Sequence, residues 1–134
     1  MRTVSKTVIG VDFGTQSARA VLVNAENGEI IYSCRKEYPY NSTPVPAIDC
    51  AENLPCATDY EMTLYELLRN VIPEEYRKTV AGICVDATSL TMVLLAEDGR
   101  ALSELDGWSE AAHARVKLWK YHRAPVSYTH LRAH

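Results

Sequence analysis

The sequence contains one phenylalanine, no long apolar run and no excess of positive charge among its 134 residues. The longest apolar run, residues 91–96, is far shorter than the roughly 20 residues a membrane-spanning helix needs, so no membrane partner is predicted. Lys and Arg number 14 against 17 Asp and Glu, which gives a formal charge of −3. Because binding to nucleic acid generally requires a surplus of cations, no nucleic-acid partner is predicted.

The N-terminal residues lack the apolar core and the small-residue cleavage site of a secretory signal, and the sequence therefore predicts a cytoplasmic protein. No C-x-x-C pair occurs, so neither a zinc site nor a disulfide framework is expected. Buried, reduced thiols are predicted for the four cysteines, Cys34, Cys50, Cys56 and Cys84.

A hydrophobic content of 47% is ordinary for a globular protein, and the length predicts one domain. Every acidic residue lies at or before Glu110, and five basic residues follow it. This asymmetry could mark an anion-binding surface, but a solvated helix face is the preferred interpretation.

The first part of the chain predicts an antiparallel meander. β-Branched and apolar residues predict strands over residues 7–11, 18–23 and 29–34. A polar turn at residues 12–17 separates the first two strands, and Asn27-Gly28 predicts a hairpin before the third. Residues 38–56 contain four prolines and are expected to be a surface excursion.

A helix is predicted to begin at Thr58, because Thr58 and Glu61 have the spacing of a capping box. It is expected to end at Pro73. One apolar stripe, expected to face the core, consists of Tyr60, Leu64, Leu67, Leu68 and Val71.

The second part of the chain predicts two further strands, over residues 80–85 and 91–96, with a turn at residues 86–89 between them. Asp98-Gly99 closes the fifth strand, and residues 110–123 have helical spacing. The order of strands and helices predicts an α/β protein in which helices cover a mixed sheet.

The turn at residues 12–17 is the first candidate for chemistry. A carboxylate at the end of a strand can hold Mg²⁺ directly or through water, and Gly14 allows the backbone to approach a phosphate. The same residue types also make ordinary hairpin turns, and that alternative stays open at this point. Neither a Walker A sequence nor a G-x-G-x-x-G motif is present.

Residues 9–19, IGVDFGTQSAR, resemble the first phosphate-binding motif of the FGGY carbohydrate kinases. These enzymes belong to the sugar kinase, hexokinase, actin and Hsp70 superfamily. The resemblance implies a ribonuclease-H-like domain, a mixed sheet with flanking helices, of which this chain would be an incomplete version.

Two further segments resemble the ribulokinase branch of that family. Residues 82–92, GICVDATSLTM, are similar to a V-D-x-T-x-x-T segment that lines the sugar pocket there. Residues 113–122, HARVKLWKYH, are similar to a helix in which Arg115 replaces the usual tryptophan. Within it, Lys117 and Trp119 are expected to pack rather than contact substrate, and His113 and His122 to lie on the surface.

The resemblance implies two binding sites and the cofactors ATP and Mg²⁺. Asp12 would organise the metal, through water. The nucleotide phosphates would contact Gly14, Thr15, Gln16, Ser17 and Arg19. The sugar would contact Asp86, Ala87, Thr88 and Ser89. Two alternatives remain. Asp86 could cap the end of its strand, and the hydroxyls of Thr88 and Ser89 could form hydrogen bonds within their own turn.

The implied activity is ATP-dependent phosphorylation of a ketopentose. The preferred reaction is the conversion of L-ribulose to L-ribulose 5-phosphate in L-arabinose catabolism. The alternatives are another FGGY kinase, acting on xylulose, another pentulose or a polyol, and a non-catalytic sugar-binding fragment. The partners would be the sugar and ATP, in a full-length protein that could be a homo-oligomer.

Residues 1–124 are expected to be part of the family's N-terminal domain, and residues 125–134, which lack the resemblance, a non-native tail. The family's general base, an aspartate, and its adenine site match no residue of this chain. No catalytic residue is therefore predicted here.

Overall fold

The computed structural model describes residues 5–39, 55–109 and 111–119, and these contain one four-stranded sheet. The strands are β1 (Thr7–Phe13), β2 (Ser17–Asn24), β3 (Ile30–Glu37) and β4 (Val80–Ala87). Their order is β3-β2-β1-β4. β1, β2 and β3 form the predicted antiparallel meander, and β4 pairs in parallel with β1.

The connection from the meander to β4 contains the helix α1 (Ala57–Val71), as a parallel pair requires. The α/β class and the mixed sheet are therefore confirmed. The described ranges contain one regular α-helix beside the sheet, and the ribonuclease-H-like arrangement stays a prediction.

The hairpin predicted between β2 and β3 is confirmed, with a loop made by residues 25–28. The Asn24 amide donates to the Glu29 carbonyl oxygen at 2.9 Å, and the Gly28 amide donates to the Asn24 carbonyl oxygen at 2.9 Å. Gly28 has a φ of +76°, a conformation that a side chain disfavours. The β2–β3 register shifts by one residue between Leu22 and Val23.

The helix α1 begins one residue earlier than its sequence predicts, and the predicted capping box is wrong. Cys56 is the N-cap, and its backbone amide donates to Asp59 Oδ2 at 2.8 Å. Thr58 instead donates its hydroxyl to Glu104 Oε1 at 2.9 Å. An acidic residue in the first turn satisfies a free amide there, so the hydroxyl of Thr58 is not needed as a cap. The expected end before Pro73 is confirmed.

The apolar stripe of α1 packs on the face of the sheet that carries the alternate residues of β1 and β2. Lys36 Nζ also lies 2.5 Å from Glu66 Oε2, which joins β3 to the helix. The buried hydrophobic cluster consists of Ile9, Val11, Ala18, Ala20, Leu22, Tyr38, Leu67 and Val71. The core thus lies between α1 and the meander, as the stripe predicts.

β4 lies at the edge of the sheet, and every residue after Val80 in it is exposed. The expectation of a buried thiol is wrong for Cys84, because the edge strand is not covered by any described element. Cys34 is half-buried, and burial raises the pKa of its thiol. Among the described residues no disulfide joins Cys34, Cys56 and Cys84 to one another, and Cys50 lies outside the described ranges.

The predicted fifth strand, residues 91–96, is wrong. Only two isolated bridges occur there, Met92 with Lys117 and Leu95 with Ala101. The predicted turn at Asp98-Gly99 is present, with a φ of +85° at Gly99. Without a neighbouring strand to supply a ladder, the apolar run forms no regular element.

The predicted helix over residues 110–123 is also wrong within the described residues. A single 3₁₀ turn, Ala112–Ala114, is followed by an extended segment in which Lys117 pairs with Met92. The backbone amides of this segment are satisfied by the chain around Met92 and by the Pro55 carbonyl rather than by a helix. Residues 120–123, like most of the proline-rich stretch, lie outside the described ranges.

Candidate functional site

A cleft of about 400 Å³ opens at the turn between β1 and β2. It collects all six residues that the sequence assigns to the phosphate and metal site, together with two that it does not. The lining consists of Asp12, Gly14, Thr15, Gln16, Ser17, Arg19, Arg35 and Trp119. The predicted phosphate-binding residues are therefore brought together in one place.

The turn itself is tight because Gly14 has no side chain. Its backbone amide donates to the Ser17 carbonyl oxygen at 3.0 Å, which closes the turn. A Cβ at Gly14 would lie 3.0 Å from that same oxygen, a contact that backbone cannot easily relieve. Glycine at this position allows the Ser17 carbonyl oxygen to lie close to the Gly14 backbone, and no positive φ is involved.

Tyr38, which directly follows β3, is hydrogen-bonded to the turn through both its side chain and its backbone. It is 2% exposed, and its hydroxyl donates to the Gly14 carbonyl oxygen at 2.9 Å. Its backbone amide donates to the Gln16 carbonyl oxygen at 3.3 Å. The Tyr38 ring lies against the ring of Tyr60 on α1, with centroids 4.9 Å apart. The core therefore fixes the conformation of the turn.

A row of four charged residues crosses the sheet beside the turn. Asp86 on β4 is in register with Asp12 on β1, Asp12 with Arg19 on β2, and Arg19 with Arg35 on β3. Residues in register on neighbouring strands point to the same face, here the face away from α1. Two carboxylates consequently lie beside two guanidinium groups, all four exposed.

The predicted sugar-binding residues are not all brought together. Asp86 lies beside Asp12, and its Oδ1 accepts a hydrogen bond from the Ala87 amide at 2.9 Å. Thr88 faces the α1 side, where its amide and hydroxyl donate to the Phe13 carbonyl oxygen at 2.9 and 3.1 Å. Ser89 is exposed. The local hydrogen bond weighed as the alternative for Asp86 is thus formed, whereas Thr88 bonds to the end of β1 rather than within its own turn.

A second cavity, of about 190 Å³, lies on the α1 side of the strand ends. Ala87 and Thr88 line it with Phe13, Gly14, Tyr60, Thr91 and Val93. The Tyr60 hydroxyl is buried without a hydrogen-bond partner among the described residues. Burial, followed by the nearby Asp59 charge, raises the pKa of Tyr60 to about 12, so its hydroxyl stays neutral at physiological pH.

Sequence reasoning missed Arg35 and placed Trp119 in packing rather than in the cleft. Arg35 Nε donates to Ser17 Oγ at 2.9 Å. Trp119 Nε1 donates to Thr15 Oγ1 at 3.1 Å, across 104 residues of chain. The strand pairing could have indicated Arg35 once the loop length was known, whereas no local signal places Trp119.

Asp12, the carboxylate in the lining of the cleft, fits a magnesium ion that is held together with a phosphate. Within residues 5–39, 55–109 and 111–119, no group of three or more His, Cys, Asp or Glu side chains could hold a metal on its own. Asp12 is exposed at the end of β1, where a carboxylate can bind the ion through water. Mg²⁺ commonly keeps waters and takes one or two carboxylates plus substrate phosphates, which matches this set.

No α-helix in the described part of the chain is both long and apolar enough to cross a membrane.

Comparison with known proteins identifies the relatives. Ribulokinase 1 of Staphylococcus saprophyticus is 37% identical over an alignment of 130 positions, which covers 92% of this chain and 24% of that protein. The ribulokinase of Mycolicibacterium smegmatis is 33% identical over 89% of the chain, and that of Halalkalibacterium halodurans 31% over 90%. The chain resembles the ribulokinases. It spans about a quarter of the length of these ribulokinases.

The ribulokinase similarity confirms the resemblance to carbohydrate kinases carried by residues 9–19 and 82–92. No protein-family model matches the chain. Among solved structures, a gluconate kinase of Lactobacillus acidophilus superposes with a TM-score of 0.49 at 21% identity, over 71% of this chain and 18% of that one. A ligand-bound xylulose kinase of the same organism gives 0.48 at 21% identity, with the same coverage.

Proposed function

We propose that the cleft at the β1–β2 turn binds the phosphates of Mg·ATP in a kinase that phosphorylates a ketopentose. L-Ribulose is the proposed substrate. The observation that carries this proposal is the gathering of Asp12, Gly14, Thr15, Gln16, Ser17 and Arg19 in one open cleft. The names of the relatives support the substrate class. The product would be L-ribulose 5-phosphate, made in the cytoplasm during L-arabinose use.

The turn contributes by positioning and by charge. Phosphoryl transfer needs little covalent participation by protein, and most of the acceleration comes from orientation and electrostatic stabilisation. Thr15 and Ser17 supply hydroxyls beside the cleft, Arg19 supplies a guanidinium, and Asp12 would hold the metal ion. When bound, the metal neutralises charge that develops on the transferred phosphoryl group.

The transfer joins a sugar hydroxyl oxygen to the γ-phosphorus and breaks the bond from that phosphorus to the β-phosphate oxygen. The hydroxyl proton must pass to a general base. We assign that base to no residue of this chain. The proposal therefore takes residues 1–124 as one part of a longer kinase, and the exposed apolar residues of β4 support a further covering element.

Sugar recognition is proposed for the strand end at residues 86–89. A site that hydrogen-bonds hydroxyls rejects analogues that lack them, because its polar groups would remain unpaired. Asp86 and Thr88 lie on opposite faces of the strand end, and Ala87 and Thr88 line the 190 Å³ cavity. A panel of L-ribulose, xylulose and polyols decides between the ribulokinase and other FGGY activities.

A chimaera tests the proposal in a complete enzyme. The segment of the S. saprophyticus ribulokinase that matches this chain is replaced by residues 5–119, and ADP release is measured with L-ribulose. We expect turnover, and a loss of about 10²-fold or more in kcat for Asp12→Ala, with a smaller change in sugar KM. The matched control is Asp106→Ala, an exposed acidic residue away from the cleft.

Near-normal kcat in the Asp12→Ala chimaera would mean that residues 12–17 form an ordinary hairpin turn. If the chimaera does not fold, binding of Mg·ATP to the 134-residue chain is measured by titration calorimetry instead. Weak binding without sugar-dependent turnover is expected, since the general base is not among its residues. Absence of binding at millimolar nucleotide would contradict the proposal.

A further inference from the structure

Arg35 is a second cation beside Arg19 in the lining of the phosphate cleft. It faces the same side of the sheet as Asp12 and Arg19, and it lines the 400 Å³ cleft. Its Nε donates to Ser17 Oγ at 2.9 Å, which fixes the guanidinium beside the turn. The remaining nitrogens of the guanidinium group extend the set of donors around the cleft.

Asp12 is in register with Arg19 but not with Arg35, so an anion bound in the cleft would still reduce the repulsion between Arg35 and Arg19. The two residues are in register on neighbouring antiparallel strands, and like charges directly opposite each other destabilise a sheet. The Arg35–Glu37 contact is long, at 3.7 Å, and both side chains are more than half exposed. Such an exposed pair contributes little, so it does not explain the pairing of two arginines.

We propose that Arg35 binds the polyphosphate chain of the nucleotide, together with Arg19, as an additional phosphate-binding residue. This proposal rests on the proposed function of the cleft. The planar guanidinium offers paired donors that match phosphate oxygens, which makes arginine suited to the task.

The acidic half of the charged row determines which anion fits. Asp12 and Asp86 lie on the other side of Arg19 and would repel a bare phosphate. A magnesium-loaded polyphosphate presents its cation to the carboxylates and its oxygens to the arginines. The row therefore favours the magnesium complex of a di- or triphosphate over inorganic phosphate.

The test uses the 134-residue chain with Mg·ATP and magnesium tripolyphosphate as probes, and phosphorus NMR as the readout. Arg35→Gln is expected to raise both dissociation constants about 10-fold, because the two probes share the polyphosphate chain that Arg35 is proposed to bind. Arg35→Lys keeps the charge but not the paired donors, and an intermediate loss is expected. The control is Arg77→Gln, since Arg77 is exposed and pairs with Glu74 outside the cleft.

Ionic strength separates phosphate binding from a purely structural role of Arg35. Salt screens an exposed charge. The ratio of the dissociation constants of Arg35→Gln and the native chain should therefore shrink as the salt concentration is raised. A salt-independent loss would show that Arg35 only supports Ser17, and would overturn the inference. Equal affinities in the two proteins would also overturn it while leaving the proposed function intact. If the native chain binds neither probe, the proposed function itself is contradicted.

Discussion

The meander with α1 and the region from β4 onward were predicted from the same kind of apolar pattern, yet they differ in structure. Ile9 on β1 and Ile83 on β4 are neighbours in register, with 1% and 54% of their surface exposed. α1 covers the first and no described element covers the second. The exposed large apolar residues beyond β4 include Leu90, Met92, Val93, Leu94 and Leu95.

This difference shows what an apolar pattern can and cannot specify. Residues 7–11 and 18–23 became strands because a short turn brings each one a neighbouring strand. Residues 91–96 have comparable apolar content, but their backbone meets only isolated partners at Lys117 and Ala101. A strand requires a ladder as well as a buried face, and only the face can be read from the pattern.

The largest expected effect comes from truncating the two neighbouring isoleucines. Ile9→Ala removes buried methyl groups from the α1 interface and should lower the free energy of unfolding by about 2–5 kcal/mol. Ile83→Ala, made in the adjacent register position, should cost less than about 1 kcal/mol because the side chain is already exposed. Chemical denaturation followed by circular dichroism measures both.

Equal costs for the two variants would mean that β4 is covered in solution. A small cost for Ile9→Ala would contradict the placement of the core between α1 and the meander.

A smaller effect is expected at the contact between the core and the phosphate turn. Tyr38→Phe removes the hydroxyl that donates to the Gly14 carbonyl oxygen and should cost about 1 kcal/mol. Because that bond also holds the turn, the affinity for magnesium tripolyphosphate should fall several-fold. The matched control is Tyr65→Phe on α1, which is 61% exposed and should change neither quantity. Loss of stability with unchanged affinity would show that the turn keeps its shape without Tyr38.

Much of the first region could be predicted because its determinants are local. Gly14 and the polar residues around it mark a turn, and its closure depends on an atom only three residues away, the Ser17 carbonyl oxygen. The helix stripe likewise follows from spacing within α1. The exact N-cap could not be predicted, since Thr58 and Asp59 compete for the same first turn.

Arg35 shows how a one-residue difference in the register of β2 and β3 decides the composition of the site. A two-residue turn at Asn27-Gly28 would place Lys36 opposite Arg19. The loop of residues 25–28 and the register shift after Leu22 bring Arg35 there instead. A register shift of one residue exchanges the two faces of a strand. Because β3 is largely exposed on both faces, its apolar residues do not indicate which of the two registers is formed.

Trp119 and residues 110–123 mark the other limit of prediction. Helical spacing was present, but helix formation within a protein depends on packing an apolar face, and this segment instead pairs with Met92. The contact from Trp119 to Thr15 joins distant parts of the chain. Nothing in either local sequence specifies it.

The smallest expected effects come from two glycines, and they test whether the two regions unfold together. Gly28 in the β2–β3 loop and Gly99 in the turn after residues 91–96 have φ values of +76° and +85°. A Cβ at either position would meet no atom within 4 Å, so alanine causes backbone strain but no clash. The local cost of the substitution, on the order of 1 kcal/mol, should therefore be the same at both sites.

What differs is how much of that cost reaches global stability. Gly28→Ala strains the cooperative meander and should lower the free energy of unfolding by about 1 kcal/mol. Gly99→Ala strains a turn that can open alone, so global unfolding should change by less than about 0.5 kcal/mol. Hydrogen exchange should then accelerate at the amides of Ala96 and Leu102, which donate to Arg100 and Leu94. If Gly99→Ala instead lowers global stability as much as Gly28→Ala, the two regions form one cooperative unit and their contrast is confined to surface exposure.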